Sequence, residues 1–361
     1  RLTFSLVGGV LGVGAAIIAL LRTRRTNWLK QKDIRKWLDK YDTFLFDCDG
    51  VIWRGDTEIP GVPDTIRELQ RLGKQVLFVS NNATKHRSQY LAKFKAMHLE
   101  SVSIDQVVTS SFVASRYFVS KYGVGAKVFC VGTDGLRKEF EEAGAEVVVP
   151  PYVSETFNKS SGPAVCTEGV DHEIRAVVGA ADWTLSHRKL SYAVLCLLNI
   201  KGCGFIATNR DRLFPSSDGN SYPGAGAVIG ALEYCTSLKA TDMGKPQPIM
   251  LDILQEIGMK KSRAIMIGDR LDTDIAFGRR GGVDTLVVLT GCTTRRQISH
   301  VLWGERVPHY GLESFAEVGK ALGCLSDKGA RGRRYSQEIL PFQQTTSDTS
   351  SQRRRFEGGA S

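Results

Sequence analysis

Two carboxylates separated by one residue, those of Asp47 and Asp49, follow the short apolar segment Thr43–Phe46 in this chain of 361 residues. The segment is predicted to be a buried strand, so both carboxylates are expected at its carboxyl end, where open α/β sheets bind ligands. Gly50 comes next and permits close approach of the backbone to a ligand. Such carboxylates can serve as nucleophile, general acid–base or metal ligand. An Asp-x-Asp pair alone is also common among solvated loop acids. It therefore indicates an active site only if suitable residues elsewhere in the sequence accompany it.

A calcium-binding loop is one alternative use of the acidic pair, because Glu58 is the twelfth residue counted from Asp47. Positions five and six of such a loop need an oxygen ligand and a glycine. Here they are Val51 and Ile52. The apolar strand before the pair also argues against this alternative.

A hydroxyl and two amides follow the second predicted strand, Gln75–Val79, in the form of Ser80, Asn81 and Asn82. These groups can bind phosphoryl oxygens, although an ordinary polar turn has the same composition. Lys245 lies in a constrained Gly-Lys-Pro turn, where its point charge suits phosphate. Taken alone, it would be an unremarkable surface lysine.

A second acidic cluster follows the predicted strand Ala264–Ile267. It reads Gly268-Asp269-Arg270-Leu271-Asp272-Thr273-Asp274. Alone it would be the N-terminal region of a helix. Four such groups, each after a strand or in a tight turn, are hard to explain as coincidence. The six histidines are scattered and no cysteines form a Cys-x-x-Cys pair, so a metal site built from His or Cys is not indicated.

Strands and helices alternate from Tyr41 onward, which predicts the elements that position these groups. Pro63–Leu72 is predicted to be a helix with one apolar face. Further strands are predicted at Ala126–Val131, Arg175–Gly179, Gly204–Ala207, Ala264–Ile267 and Thr285–Leu289. This alternation predicts an α/β fold, with a Rossmann-like, doubly wound and mostly parallel sheet.

Four ordered motifs resemble those of the haloacid-dehalogenase-like superfamily. They are Asp47-x-Asp49-Gly-Val, Ser80-Asn-Asn, Gly-Lys245-Pro and Gly-Asp269-Arg-Leu-Asp-Thr-Asp274. The resemblance runs from about Tyr41 to Gly323. Three further segments are similar to the p-nitrophenyl phosphatase branch, which includes phosphoglycolate phosphatase and pyridoxal phosphate phosphatase. They are Phe129-Cys-Val-Gly-Thr-Asp-Gly-Leu136, Ala207-Thr-Asn-Arg-Asp211 and Pro223-Gly-Ala-Gly226.

The spacing of the motifs predicts where a second domain is inserted. Asp47 and Ser80 are 33 positions apart, too few to contain a domain, whereas Ser80 and Lys245 are 165 positions apart. An α/β cap domain is therefore expected at residues 122–237. The catalytic core would then comprise residues 41–121 and 238–326.

The resemblance implies a role for each residue of the core motifs. Asp47 would be the nucleophile, and Asp49 would act first as general acid and then as general base. Mg²⁺ would be held by the carboxylates of Asp47 and Asp269 and by the backbone carbonyl of Asp49. Asp274 would orient Lys245 or the metal ligands.

The phosphoryl group of the substrate would be held by a separate set of residues, Ser80, Asn81, Asn82 and Lys245. Substrate choice would depend on a cap loop that contains Arg210, Arg212 and Phe214. Pyridoxal phosphate phosphatases typically have histidine where this chain has Phe214, and phosphoglycolate phosphatases tend to have an apolar residue there. The main expectation is therefore a 2-phosphoglycolate phosphatase, in which Arg210 or Arg212 binds the substrate carboxylate.

Other functions remain open at this point. The alternatives are a pyridoxal phosphate phosphatase, a broad-specificity p-nitrophenyl phosphatase, a phosphotransferase and a non-catalytic protein that reuses the fold. A homodimer is expected by resemblance alone. A dinucleotide fingerprint is not matched, because the third glycine of Gly224-x-Gly226-x-x-x-Gly230 comes one position late.

The net charge of +10 belongs to the two ends of the chain. Residues 1–40 form a basic segment in which residues 2–21 have no charged side chain, a length that suits a membrane anchor, a targeting segment or a soluble helix. Residues 327–361 are expected to be largely disordered. The body between carries no net charge and no basic stripe, so nucleic-acid binding is not expected. A cytoplasmic or organellar reducing compartment is expected for this body, which residues 2–21 could tether to a membrane.

Overall fold

The structure is a computed structural model, and it describes residues 26–150, 169–215 and 220–325. Its strands are β1 (Asn27–Trp28), β2 (Thr43–Phe46), β3 (Trp53–Arg54), β4 (Thr57–Glu58), β5 (Gln75–Ser80), β6 (Val107–Thr109), β7 (Lys127–Val131), β8 (Glu146–Val147), β9 (Ile174–Gly179), β10 (Gly204–Ala207), β11 (Leu213–Pro215), β12 (Ser221–Pro223), β13 (Thr241–Asp242), β14 (Ala264–Gly268), β15 (Asp284–Val288) and β16 (Tyr310–Leu312).

Helices connect most of these strands. They are α1 (Ile34–Leu38), α2 (Val62–Arg71), α3 (Arg87–Ala96), α4 (Ser110–Tyr122), α5 (Asp134–Glu142), α6 (His187–Asn199), α7 (Ala225–Thr236), α8 (Ile249–Glu256), α9 (Ala276–Gly281), α10 (Arg295–His300) and α11 (Ala316–Leu322). Short 3₁₀ turns lie at Gln31–Asp33, Ile104–Gln106 and Lys261–Arg263, and a π-helical turn, Leu271–Ile275, precedes α9.

The larger sheet has seven strands in the order β1-β16-β15-β14-β2-β5-β6. Every neighbouring pair is parallel. All residues of β2 and β14 are buried, as expected for central strands covered on both faces. Because β14, β2 and β5 are neighbours, their carboxyl ends lie side by side, which confirms the predicted Rossmann-like α/β core.

The strands predicted from the sequence agree closely with those observed. Thr43–Phe46 and Gly204–Ala207 have the predicted bounds, and four other predicted strands differ by one residue at one end. The strand predicted at Thr285–Leu289 is observed one residue earlier, at Asp284–Val288. The helix predicted at Pro63–Leu72 is observed at Val62–Arg71. Apolar runs of this length identify buried parallel strands well, because both faces of such strands avoid water.

The smaller sheet has five parallel strands in the order β13-β10-β9-β7-β8. Its strands lie in the region predicted to be the cap, except that β13 lies beyond residue 237, the predicted end of that domain. An apolar cluster joins the two sheets through α4, since it contains Phe118 of that helix, Leu77 of the larger sheet and Val178 of the smaller one. The antiparallel hairpin β11–β12 extends from this region.

Residues before Tyr41 contribute to the core, although the predicted core began there. β1 pairs with β16 and adds a strand to the edge of the larger sheet. Trp37 of α1 is buried, and its ring lies 5.5 Å from that of Tyr41 and 6.1 Å from that of Phe44, measured between centroids. The basic N-terminal segment therefore contributes Ile34, Trp37 and Leu38 to the packed core.

The predicted anchor or targeting stretch, residues 2–21, and the predicted disordered tail, residues 327–361, lie outside the described residues. Within the described residues, no helix has both the length and the apolar character needed to cross a bilayer. The homodimer stays a prediction.

Candidate active site

The loop after β2 carries the first pair of carboxylates. The backbone N–H of Asp47 donates to the carbonyl of Ile267 in β14, at 2.9 Å. Gly50 has a φ of +83°, and a Cβ there would lie 2.6 Å from Oδ2 of Asp269. A glycine is therefore required twice over at this position, for its backbone conformation and for the space that it leaves.

Lys245 lies at the centre of the site and is almost fully buried. Its Nζ lies 2.6 Å from Oδ1 of Asp47 and 2.7 Å from Oδ1 of Asp274, and it donates to the carbonyl of Val79 at 2.9 Å. Burial alone would lower the pKa of Lys245, but attraction to Asp274 and Asp47 outweighs burial and raises it. The lysine is therefore a fixed positive charge beside the predicted nucleophile.

Three buried carboxylates, those of Asp47, Asp269 and Asp274, form a cluster that suits a metal ion. One oxygen of each lies within 4.8 Å of the others. Oδ2 of Asp269 accepts from the N–H of Cys292 at 2.6 Å. Oδ1 of Asp269 is buried without a hydrogen-bond partner among the residues that the structure describes. Such an oxygen is stabilised by a bound cation, and a set of carboxylate oxygens is what Mg²⁺ prefers.

Burial and neighbouring charges shift the pKa values of Asp47 and Asp269. Burial, followed by the charge of Asp274, raises the pKa of Asp269 to about 7. Burial raises the pKa of Asp47 well above its ordinary range, although Lys245 opposes that shift. A divalent cation bound there would favour the ionised carboxylates and so lower both pKa values.

Asp49 does not contribute its carboxylate to this cluster of three. Its Oδ1 accepts a hydrogen bond from Nε1 of Trp53 at 2.9 Å. Its predicted contribution to the metal ion was the backbone carbonyl, and that stays a prediction. The carboxylate is only partly buried, so it can approach a leaving group or a water molecule.

Asn81 was predicted to bind the phosphoryl group, but the structure gives its side chain another partner. Oδ1 accepts from the backbone N–H of Lys245 at 2.7 Å, and Nδ2 donates to the carbonyl of Lys245 at 3.0 Å. This pair of hydrogen bonds fixes the backbone that carries the lysine. Asn81 therefore positions Lys245 in this structure.

Ser80 and Asn82 follow β5 at the edge that carries Asp47. Oγ of Ser80 lies 3.2 Å from the hydroxyl of Tyr90 and accepts from the N–H of Asn82 at 3.2 Å. Oδ1 of Asn82 accepts from the N–H of Thr84 at 3.0 Å, which closes a turn. Both side chains thus have fixed positions near the predicted phosphoryl site.

Two polar residues after β10 reach Asn81 from the smaller sheet. Nδ2 of Asn209 donates to the backbone carbonyl of Asn81 at 2.7 Å. Oδ1 of Asp211 accepts from Nδ2 of Asn81 at 3.4 Å and lies 3.9 Å from the guanidinium of Arg270. No role was predicted for Asn209 or Asp211, although both belong to the segment Ala207–Asp211 that indicated the branch.

The predicted cap residues have different surroundings. Nε of Arg210 donates to Oδ1 of Asp242 at 2.6 Å, and its Nη2 lies 2.8 Å from Oε1 of Glu233. Phe214 lies in β11, and its ring makes an edge contact with Trp183 at 4.9 Å between centroids. Arg212, between these two positions, is exposed. Arg210 therefore forms ion pairs within the cap region. Phe214 contacts Trp183, for which the sequence predicts no role.

Comparisons with known proteins agree with this arrangement of motifs. A family model described as haloacid dehalogenase-like hydrolase matches residues 44–146, and a HAD-hydrolase-like model matches residues 242–318. Phosphoglycolate phosphatase 2 from Arabidopsis thaliana is 39% identical over 272 residues, which cover 75% of this chain and 90% of that protein. The chain belongs to the haloacid dehalogenase-like hydrolase family.

Other members of the family cover similar shares of this hydrolase. Chronophin from Mus musculus is 33% identical over 306 residues, 82% of this chain and 99% of chronophin. The crystal structure of 4-nitrophenylphosphatase from Thermotoga maritima superimposes with a TM-score of 0.65 at 29% identity, and covers 78% of this chain and 98% of that one. The predicted family and branch, a phosphatase among phosphoglycolate and p-nitrophenyl phosphatases, are confirmed.

Proposed function

We propose that this haloacid dehalogenase-like hydrolase is a Mg²⁺-dependent phosphatase that hydrolyses a small phosphate monoester through an aspartyl-phosphate on Asp47. The observation that supports it most directly is the contact of 2.6 Å between Asp47 and the buried cation of Lys245. A cation there attracts the phosphate dianion toward the nucleophile and holds its oxygens while charge is redistributed. Asp269 and Asp274 supply the negative charge that makes a metal ion favourable at the same place.

The reaction would proceed in two balanced steps. An oxygen of Asp47 attacks phosphorus, the bond from phosphorus to the ester oxygen breaks, and Asp49 gives its proton to that oxygen. Water then attacks the aspartyl-phosphate and gives a proton to Asp49, and the bond from phosphorus to Asp47 breaks. Phosphate leaves, and both carboxyl groups return to their starting states.

Mg²⁺ is the proposed cofactor, held by the carboxylates of Asp47 and Asp269 and by the backbone carbonyl of Asp49. When bound, it would offset the repulsion between the anionic nucleophile and the anionic substrate. Asp274 would hold Lys245 in place, and Asn81 would fix the backbone of the same lysine. Ser80 and Asn82 remain proposed ligands of the phosphoryl oxygens.

The proposed substrate is 2-phosphoglycolate. Phe214 of the cap loop and Trp183, which lies between β9 and α6, form an apolar pair, and one relative at 39% identity is named phosphoglycolate phosphatase. Arg212, an exposed residue of the same loop, is the proposed partner of the substrate carboxylate, and Arg210 pairs with Asp242 and Glu233. A broad p-nitrophenyl phosphatase is the second candidate, supported by the solved 4-nitrophenylphosphatase.

Kinetic measurements would test both the proposed substrate and the proposed reaction mechanism. We expect kcat/KM for 2-phosphoglycolate to exceed that for pyridoxal phosphate and p-nitrophenyl phosphate. A clear preference for pyridoxal phosphate would overturn the substrate, and phosphate found on an added alcohol would indicate a phosphotransferase. Asp47→Asn should lower kcat by at least about a thousandfold, whereas Asp272→Asn should retain activity. Equal activity of Asp47→Asn and the wild type would refute the mechanism.

A reducing compartment, cytoplasmic or organellar, is proposed for the catalytic body. The seven cysteines that the structure describes are free. One relative, 40% identical over 275 residues, is named phosphoglycolate phosphatase 1A, chloroplastic. Fractionation of cells that express the full chain, followed by immunodetection, would test the proposal.

A further inference from the structure

Trp53 makes a specific contact with the proposed acid–base residue. Its indole Nε1 donates to Oδ1 of Asp49 at 2.9 Å. The contact closes a tight loop, since the N–H of Gly50 donates to the carbonyl of Trp53 at 2.7 Å. Only 1% of Trp53 is exposed, so its indole is shielded from water.

Side chains of α3 hold the indole in place. Nζ of Lys93 lies 4.2 Å from the centre of the Trp53 ring and donates to the carbonyl of Gly55 at 2.6 Å. The ring of Phe94 makes an edge contact with the indole at 5.2 Å between centroids. A cation over an indole is attracted to its face and polarises the ring, which strengthens the N–H as a donor.

The direction of this hydrogen bond restricts where Asp49 can carry a proton. An indole N–H can donate but cannot accept. Oδ1 of Asp49 must therefore present a lone pair to Trp53 in both protonation states. When Asp49 is protonated, its proton is confined to Oδ2.

We propose that Trp53 is a positioning residue that makes Oδ2 of Asp49 the single oxygen for proton transfer. The inference rests on the proposed role of Asp49 as general acid and base. In the first step, Oδ2 gives its proton to the ester oxygen as the bond to phosphorus breaks. In the second step, Oδ2 takes a proton from the attacking water. The carboxyl group does not have to rotate between the two steps.

Trp53→Phe tests this proposal because it keeps an aromatic ring but removes the N–H donor. Loss of ordered proton transfer should matter most for a poor leaving group. We expect kcat for the alkyl phosphate that the wild type hydrolyses fastest to fall at least about tenfold. p-Nitrophenyl phosphate differs because its phenolate leaves without a proton. For this substrate, the rate of aspartyl-phosphate formation, measured from the burst of p-nitrophenolate, should fall less than about threefold.

Trp37→Phe is the matched control. Trp37 is 2% exposed, and its Nε1 has no hydrogen-bond partner within the described part of the chain. The same chemical change there should leave the ratio of the two rates unaltered. An equal loss on both substrates in Trp53→Phe, or no loss on either, would overturn the inference.

Two further variants keep the result interpretable. Asp49→Asn should show the same dependence on the leaving group, and more strongly. If Asp49→Asn lacks that dependence, the proposed acid–base role fails; if only Trp53→Phe lacks it, the inference about Trp53 fails alone. If Trp53→Phe does not fold, 3-benzothienylalanine at position 53 replaces the N–H by sulfur at nearly constant shape, with the same expected and overturning results.

Discussion

Nζ of Lys245 lies 2.7 Å from Oδ1 of Asp274, and both side chains are almost completely buried. The same ammonium donates to Oδ1 of Asp47 at 2.6 Å and to the carbonyl of Val79 at 2.9 Å. Two carboxylates therefore lie within ion-pair distance of one buried cation. Asp274 therefore shares the charge of Lys245 with Asp47 and limits how strongly the cation stabilises the nucleophile.

Asp274→Asn should lower kcat by at least about tenfold. The variant keeps an oxygen that can accept from the N–H of Arg270, a contact of 3.1 Å in this structure. It removes the charge, so Lys245 would pair with Asp47 alone and make that carboxylate less reactive. Steady-state kinetics with p-nitrophenyl phosphate at saturating Mg²⁺ would measure the effect.

Asp272→Asn is the control for that experiment. Asp272 lies in the same π-helical turn, but its side chain is 53% exposed and pairs with Arg270. An exposed pair of this kind contributes little, so kcat should stay within about twofold. A similar loss in both variants would mean that the turn as a whole, and not the charge of Asp274, sets the rate.

Mg²⁺ should raise the melting temperature of the wild type, and EDTA should reverse the rise. A ligand at a hundred times its Kd stabilises the folded state by about 2.7 kcal/mol. Asp269→Asn removes the carboxylate whose Oδ1 is buried without a partner among the described residues, and should abolish most of the shift. Asp272→Asn should keep it. A full Mg²⁺ shift in Asp269→Asn would exclude that carboxylate as a ligand.

The stability of the metal-free protein should fall as the pH rises from about 4 to about 7. Burial and then the charge of Asp274 raise the pKa of Asp269 from 3.8 to about 7. Between these pH values the folded state keeps a proton that the unfolded state has lost, so the free energy of unfolding declines as the pH rises. The decline is on the order of 1.4 kcal/mol per pKa unit, or a few kcal/mol at most. Above pH 7 this contribution is constant.

Chemical denaturation in EDTA across this range would measure the slope. Asp269→Asn has no titrating group at this position, so its slope should be shallower and its stability at pH 7 higher than that of the wild type. Parallel curves for the two proteins would contradict the assignment of the slope to Asp269.

The core motifs could be predicted because a parallel sheet aligns its strand ends. Runs of apolar residues predict β2, β5 and β14. Because these strands are parallel neighbours, their carboxyl ends bring Asp47, Ser80 and Asp269 together whatever the conformation of the loops. The first strand, β1, escaped prediction because two residues show no periodicity.

The use of individual polar groups could not be predicted in the same way. The side chain of Asn81 bonds to the backbone of Lys245, 164 positions away, and no local pattern reveals that partner. Arg210 is satisfied by Asp242, 32 positions away, and by Glu233, 23 positions away. Residue type determines which hydrogen bonds and ion pairs a side chain can form, whereas the tertiary fold determines its actual partners.

Arg210→Met and Arg212→Met should separate stability from substrate binding. Arg210 pairs with Glu233 and Asp242, so its loss should lower the melting temperature and leave KM for 2-phosphoglycolate within about twofold. Arg212 is the proposed partner of the substrate carboxylate. Its loss should raise KM for 2-phosphoglycolate at least about tenfold, since a charged hydrogen bond is worth about 1.5–3 kcal/mol.

p-Nitrophenyl phosphate provides the control for both arginine variants, because it has no carboxylate. Neither Arg210→Met nor Arg212→Met should change its KM appreciably if the arginines act only through that group. Should Arg212→Met raise KM equally for both esters, the residue would act on the phosphoryl group or on the loop. Should Arg210→Met alone impair 2-phosphoglycolate, the carboxylate would bind at Arg210, and substrate binding would have to displace the contacts to Glu233 and Asp242.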